Sequence, residues 1–176
     1  MAAIAVAVRC SSPGGVIFRQ RRTGRDGRQF DVLKFRSMRA GAAAATDVEL
    51  AAEDVGPGGV QGEDRRTRIG RLLRDFSLDE LPQLVNVLRG DMSLVAPRPE
   101  RPEYVARFTR DIGRYEDRHR VKSGLTGWAQ VHGLRGQTSI RDRTEWDNYY
   151  IQNWTLRLDL RILALTIVEV LRRRDL

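Results

Sequence analysis

The longest apolar runs in this chain are residues 1–8 (Met-Ala-Ala-Ile-Ala-Val-Ala-Val) and residues 162–168, which Thr166 interrupts. Neither approaches the roughly 18 residues that mark a membrane-spanning helix. The chain is long enough to bury a real core. Its 176 residues suit one domain, and a chain of this size buries about two-thirds of its unfolded surface. With 41% hydrophobic and 31% charged residues it has the composition of a globular protein, which excludes wholesale disorder. A single cysteine, Cys10, excludes an internal disulfide framework and a Cys-rich zinc site, and is read as inert. His119 and His132 are too few for a histidine-built metal centre and are read as hydrogen-bonded structural or substrate contacts.

Glycine and proline set the element boundaries. Residues 1–8 lack a basic segment before them, so they read as the end of a helix rather than a signal peptide. Ser11-Ser-Pro-Gly-Gly15 stops that helix. Residues 16–22 and 29–35 are β-prone and flank Thr23-Gly-Arg-Asp-Gly27, the chemistry of a hairpin turn. Residues 41–62 are Ala/Gly-rich and acidic, and read as a flexible loop. Thr67 is placed to cap a helix over 68–75. Leu81, Leu84, Val85 and Leu88 fall at i, i+3, i+4 and i+7, predicting a helix over 81–88 that Gly90 ends.

Residues 92–96 read as extended, and Pro97-Arg-Pro99 as a stiff connector because both prolines fix φ. Pro102 suits the first turn of a helix burying Tyr104, Val105 and Phe108. Residues 124–133 read as a glycine-punctuated loop with a short strand, and 140–153 as a helix. A final amphipathic helix from about Leu158 carries Leu160, Leu163, Ile167, Val170 and Leu171, and ends in Arg172-Arg-Arg174, cations where the helix dipole favours them. Trp128, Trp146 and Trp154 are expected in the core, one of them available to stack on a base. The fold class expected is α+β: a compact helical domain with a hairpin or small sheet.

The formal charge of +8 is uneven. Residues 1–40 hold nine basic and two acidic side chains (+7), residues 41–62 hold four acidic ones (−4), and the remainder supplies +5. Of the basic residues, only Lys34 and Lys122 are not arginine. An arginine-rich genome accounts for that bias but not for the clustering. Arginine's planar fork matches phosphate oxygens, so the basic end points to nucleic acid, an anionic membrane or a phosphorylated substrate. Gly-x-Gly-x-x-Gly, Walker and zinc signatures are absent, so nucleotide phosphates must be held by side chains and helix ends.

Ser77-Leu-Asp-Glu80 permits two readings. Ser77-x-x-Glu80 fits a capping box and then needs no function. Pro82, however, would be the fifth residue of a helix capped by Ser77, where it costs stability. With Asp79 as the cap, Pro82 is tolerated, and Asp79 and Glu80 sit at a helix N-terminus among free N–H groups. Such a pair can bind a divalent cation, with one carboxylate as nucleophile. Three basic elements can converge on it as phosphate ligands: Lys34-Phe-Arg36 at the hairpin's end, Arg74 one turn before the pair, and Arg98 between its prolines. Each also reads as a solvated charge or a surface ion pair.

These segments together resemble a family. Residues 75–100, running from Asp75-Phe-Ser-Leu-Asp-Glu80 to Ala96-Pro-Arg-Pro-Glu100, resemble the signature of bacterial sugar transferases, the monotopic polyprenyl-phosphate phosphoglycosyl transferases. The likeness extends to Phe18-Arg-Gln-Arg-Arg-Thr-Gly24, Lys34-Phe-Arg-Ser-Met38, Thr67-Arg-Ile-Gly70, residues 118–136, Tyr149-Tyr150, Trp154 and residues 158–163, nearly everything outside 41–62. The resemblance implies that Asp79 attacks the β-phosphate of a UDP-sugar and releases UMP. A polyprenol phosphate then takes the bound phosphosugar, the first membrane step of exopolysaccharide, O-antigen or capsule assembly. It implies Mg²⁺ held by Glu80 with Asp79, and phosphate binding by Lys34, Arg74 and Arg98. It places Gln130 and His132 at the nucleotide or sugar end of the pocket.

The same resemblance implies a seat at the cytoplasmic face of the bacterial inner membrane. Residues 1–15 would be the remnant of a re-entrant membrane helix and its turn, and 16–176 the catalytic domain. The family's Ser-Pro-Gly-Pro turn reads Ser12-Pro-Gly-Gly15 here, one rigid element fewer. The rival expectations are a membrane-associated fragment without activity and a basic nucleic-acid-binding module, the latter without a supporting motif. No motif encodes the sugar, the pathway or the oligomeric state.

Overall fold

A computed structural model describes residues 1–39 and 64–172; the acidic loop predicted over 41–62 and the end of the basic tail, Arg173 and Arg174, lie outside the described residues. The first element is helix α1, Ala2–Ser11. Strands β1 (Ile17–Thr23) and β2 (Gln29–Phe35) then form the predicted antiparallel hairpin, Ile17 opposite Phe35 and Thr23 opposite Gln29. Asp26 and Gly27 turn the chain with φ of 54° and 74°, the left-handed geometry that Asp and Gly tolerate best.

Helix α2, Arg68–Asp75, starts where Thr67 predicts: its hydroxyl accepts a 2.9 Å bond from the Gly70 N–H. Helix α3, Gln83–Arg89, ends at Gly90 with φ 83°. Strand β3 (Met92–Val95) pairs in parallel with β4 (Ser123–Thr126), and helix α4 (Pro102–Asp111) lies in the crossover between them. A single helical turn, α5 (Trp128–Val131), occupies part of the predicted 124–133 loop, followed by α6 (Ile140–Gln152) and α7 (Leu156–Arg172). The class is thus mixed helices with two small sheets, as expected. Among the described residues no helix is long and apolar enough to cross a membrane.

Three apolar clusters hold these elements. Val8 of α1 packs with Phe35 and Leu73. Tyr104 and Phe108 join Ile112, Tyr115 and Ile140. Val95, Ala96, Trp128, Tyr150 and Ile162 form the third, under α7. Trp128 is buried and Trp146 half-buried, but Trp154 is not in the core. It is 58% exposed, and its indole N–H donates to Asp159 at 3.1 Å, which satisfies its polar edge at the surface.

Two helices turn a different face inward from the one their apolar spacing predicts. In α3, Leu84 and Leu88 are exposed, while Gln83 and Asn86 are buried. The cause is the free edge of the two-stranded hairpin. Asn86 accepts from the Leu33 N–H at 3.1 Å and donates to the Asp31 carbonyl at 2.9 Å, so its carboxamide stands in for a third strand. In α7, Ile162 is fully buried while Leu160, Ile167 and Leu171 of the predicted stripe are exposed. Apolar residues lie on several sides of this helix, so their period does not select a face; Ile162 packs with Val95, Ala96, Trp128 and Tyr150, and Thr166 on the same side meets Thr126 at 2.7 Å.

Candidate active site

The Asp79–Glu80 pair lies between two breaks in helical structure. After α2, Ser77 adopts φ 54° and ψ 19°, a left-handed conformation that is costly for a residue other than glycine, asparagine or aspartate. Leu78–Glu80 forms one 3-10 turn, and Pro82 then stands as the cap residue of α3. Because Pro82 has no N–H, the chain advances by short i to i−3 bonds: Glu80 N–H to Ser77, Leu81 N–H to Leu78, and Leu84 N–H to Leu81. Neither cap reading of this segment stands. Ser77 makes no side-chain capping bond, Glu80 is engaged elsewhere, and Asp79 sits inside the turn rather than at the start of α3.

Glu80 is gripped by two cations. The Arg98 guanidinium meets it as a fork, Nη2 to Oε1 at 2.5 Å and Nη1 to Oε2 at 3.2 Å. The Lys34 ammonium donates to Oε1 at 2.9 Å from the end of β2. Burial opposes the Glu80 charge, but Arg98 and Lys34 outweigh it and hold the carboxyl well below its usual range. Lys34 is pushed down by its own burial, against the pull of Glu80. Arg98 is raised by the same carboxylate.

Asp79 differs from its neighbour. Its side chain is 7% exposed, and among the described residues it makes no hydrogen bond or ion pair. Burial raises its carboxyl; Lys34 opposes this, Glu80 adds to it, and Arg74 and Arg98 also oppose it. Arg74 is steadied by a 2.9 Å bond from its Nε to the Ser37 hydroxyl. Three cations (Lys34, Arg74, Arg98) against two carboxylates leave a net +1, so the site has charge to spare for an anion. Among the described residues no three His, Cys, Asp or Glu side chains group as metal ligands. Two carboxylates nonetheless fit Mg²⁺, which commonly takes one or two from the protein and the rest from substrate phosphates and water.

Lys34, Arg74, Asp79, Glu80 and Arg98 are therefore brought together, and three other candidates are not. Arg36 turns away from the pair and closes the end of α1, donating to the carbonyls of Pro13 at 2.5 Å, Ser12 at 2.6 Å and Val8 at 3.2 Å. Gln130 is buried and donates to the Leu125 carbonyl at 3.3 Å. His132 Nδ1 bonds the Trp128 carbonyl at 2.8 Å, its ring packed on Trp128 and Trp146. None of the three bonds any member of the Asp79–Glu80 cluster.

Sequence reasoning missed a set of buried charges next to Arg98. Glu100 pairs with Arg143 at 2.8 Å and Arg22 at 3.4 Å, and Arg118 pairs with Asp147 at 2.6 Å. A signal for it exists in α6. Ile140, Arg143, Thr144, Asp147 and Asn148, all buried, follow the i, i+3, i+4, i+7, i+8 period of a core face, but most of them are polar, so the period passes unnoticed.

A family model described as "Bacterial sugar transferase" matches residues 1–173. The UDP-glucose:undecaprenyl-phosphate glucose-1-phosphate transferase of Xanthomonas campestris pv. campestris is 47% identical over 178 residues, covering 99% of this chain and 35% of that protein. A transferase of the same description from Caulobacter vibrioides is 45% identical over 95% of this chain and 61% of its own length. The UDP-N-acetylgalactosamine-undecaprenyl-phosphate N-acetylgalactosaminephosphotransferase of Aeromonas hydrophila is 43% identical over 97% of this chain and 39% of its own. The chain thus spans about a third to three-fifths of the length of these relatives.

Proposed function

The chain belongs to the bacterial sugar transferase family, and we propose that it transfers a sugar 1-phosphate from a UDP-sugar to polyprenyl phosphate, with release of UMP. The observation that carries this is the asymmetry of the carboxylate pair: Glu80 is held by Lys34 and Arg98, while Asp79 beside it has no hydrogen bond or ion pair among the described residues. An oxygen of Asp79 attacks the β-phosphorus, the bond from that phosphorus to the bridging oxygen breaks, and UMP leaves with the oxygen. The phosphosugar remains as an acyl phosphate on Asp79. A phosphate oxygen of polyprenyl phosphate then attacks the same phosphorus and frees the carboxylate. Lys34, Arg74 and Arg98 stabilise the charge that gathers on the diphosphate. Asp79 and Glu80 would hold Mg²⁺, which when bound neutralises further phosphate charge.

The relatives named above act on UDP-glucose or UDP-N-acetylgalactosamine and undecaprenyl phosphate by their descriptions, which supports a UDP-sugar and a polyprenyl phosphate here. The proposed setting is the cytoplasmic face of the bacterial inner membrane, at the first membrane step of exopolysaccharide, O-antigen or capsule assembly. Asp79→Asn is expected to abolish both UMP release and the trapped phosphosugar adduct across a panel of UDP-sugars. Either one persisting at the wild-type level sinks the nucleophile assignment, and UDP in place of UMP as product would indicate an ordinary glycosyltransferase.

A further inference from the structure

Four consecutive carbonyls around Arg98 are each bonded, and together they are tied to three other parts of the molecule. Pro97 accepts from the Gly124 N–H of β4 at 2.8 Å and Glu100 from the Thr23 N–H of β1 at 2.9 Å. The Arg98 carbonyl accepts from Arg118 Nη2 at 3.0 Å, and the Pro99 carbonyl from Arg22 Nη1 at 3.2 Å. A segment outside any helix or strand is thus bonded at every carbonyl, with φ fixed at both prolines. Two of the four donors are arginine side chains.

Arg118 is the costlier of the two. Its side chain is 1% exposed and Asp147's is 3% exposed, and its Nε has no partner. Its other nitrogens reach Asp147 and, at 3.0 Å, the Tyr115 hydroxyl. A buried ion pair is a weak source of stability, since desolvation offsets most of the attraction. What this pair does supply is a fixed direction: the Asp147 carboxylate and Tyr115 hydroxyl hold the planar guanidinium so that Nη2 meets one main-chain oxygen, that of the residue whose guanidinium meets Glu80.

We propose that Arg118, oriented by Asp147, is a positioning residue that sets the Arg98 guanidinium for the diphosphate, a role that rests on the phosphoglycosyl transfer proposed above. It touches no substrate and acts through Arg98 alone. The test is a double-mutant cycle on UMP release from a UDP-sugar, with wild type, Arg118→Lys, Arg98→Ala and the double variant, all checked by thermal melt. Arg118→Lys keeps the charge opposite Asp147 but loses the fork. In the wild-type background it is expected to lower kcat by about tenfold to a hundredfold, the scale of a misplaced catalytic group. In the Arg98→Ala background the same change is expected to have less than about a twofold effect, because the residue it positions is gone.

Equal factors in both backgrounds overturn the proposal and reduce Arg118 to packing. If Arg118→Lys does not fold, Asp147→Asn, which keeps the volume and one acceptor, takes its place under the same criterion. Wild-type protein that releases no UMP overturns the proposed function and this role with it. Wild-type turnover with an additive cycle overturns this role alone.

Discussion

A carboxylate that attacks phosphorus cannot be locked in an ion pair with a side chain, and one that anchors side-chain cations must be. In the proposed mechanism adjacent residues of one 3-10 turn divide these tasks: Glu80 bonds Lys34 and Arg98, while Asp79 bonds neither. The same residue-scale logic of burial gives a pH prediction at His119. Burial, then the neighbouring Arg118 charge, pulls its imidazole down to about 4 from the ordinary 6.5. The unfolded chain therefore takes up a proton before the folded one does. This contribution to stability is complete above pH 6.5 and is lost as pH falls towards 4. His119→Phe keeps the ring against Tyr115 and should shrink the fall in melting temperature between pH 6.5 and 4. An undiminished fall assigns the acid sensitivity to other groups.

Lys34, Arg74 and Arg98 were legible because each borders a turn or a strand end next to the acidic pair. Arg36 was not, although it lies two residues from Lys34. Strand β2 ends at Phe35, so the alternation that would put Arg36 beside Lys34 stops one residue short. Arg36 turns instead to α1, whose last carbonyls have no partner within the helix. The Arg22, Glu100, Arg118, Arg143 and Asp147 cluster was hidden for another reason. A lone charge in a sequence reads as solvated, and only the packing of four separate segments shows where the charges meet.

At the scale of elements, the site depends on how closely α2 lies against the segment after β2. A methyl group on Gly70 would come within 1.9 Å of the Ser37 carbonyl oxygen and 2.6 Å of its carbon. Gly70→Ala must push the helix off, and with it Arg74, which Ser37 steadies. A loss of about 1–3 kcal/mol is expected, read as a lower melting temperature together with slower UMP release. Gly113→Ala, where nothing lies within 4 Å, is the matched control and should leave both unchanged. Element boundaries were legible in the sequence almost throughout, since caps and breakers act locally: Thr67, Gly90, Pro102 and Gly27 each do what their chemistry predicts. The faces of α3 and α7 were not, because a hairpin edge wanting hydrogen bonds and the core that receives Ile162 decide them, and both are tertiary facts.

For the whole molecule, the excess of positive charge is accompanied by apolar side chains left in solvent at one end of the chain. Val6 of α1 and Ile17 and Phe18 at the start of β1 are exposed, directly before the exposed Arg19 and Arg21. Apolar residues followed by arginines suit the interface of an anionic bilayer, in keeping with the proposed membrane seat. Vesicles containing phosphatidylglycerol are expected to co-sediment the protein at low salt and less of it at high salt. Phe18→Glu should reduce the bound fraction severalfold with the melt unchanged. An equal bound fraction for wild type and variant removes this end of the molecule from the membrane contact.

The ties around Arg98 also govern when the site can come into being. The Arg22 side chain must find a carbonyl 77 residues further along, and the Ser123 hydroxyl must return 100 residues to the Thr23 carbonyl. Closures of that length follow local hairpins and helices in a folding chain. Synthesis reaches Asp79 before Asp147, so the seat of Arg98 stays open until Asp147 has also been made. Chains interrupted between Arg98 and Asp147 would therefore carry Asp79 and Arg98 without the completed seat that holds that arginine.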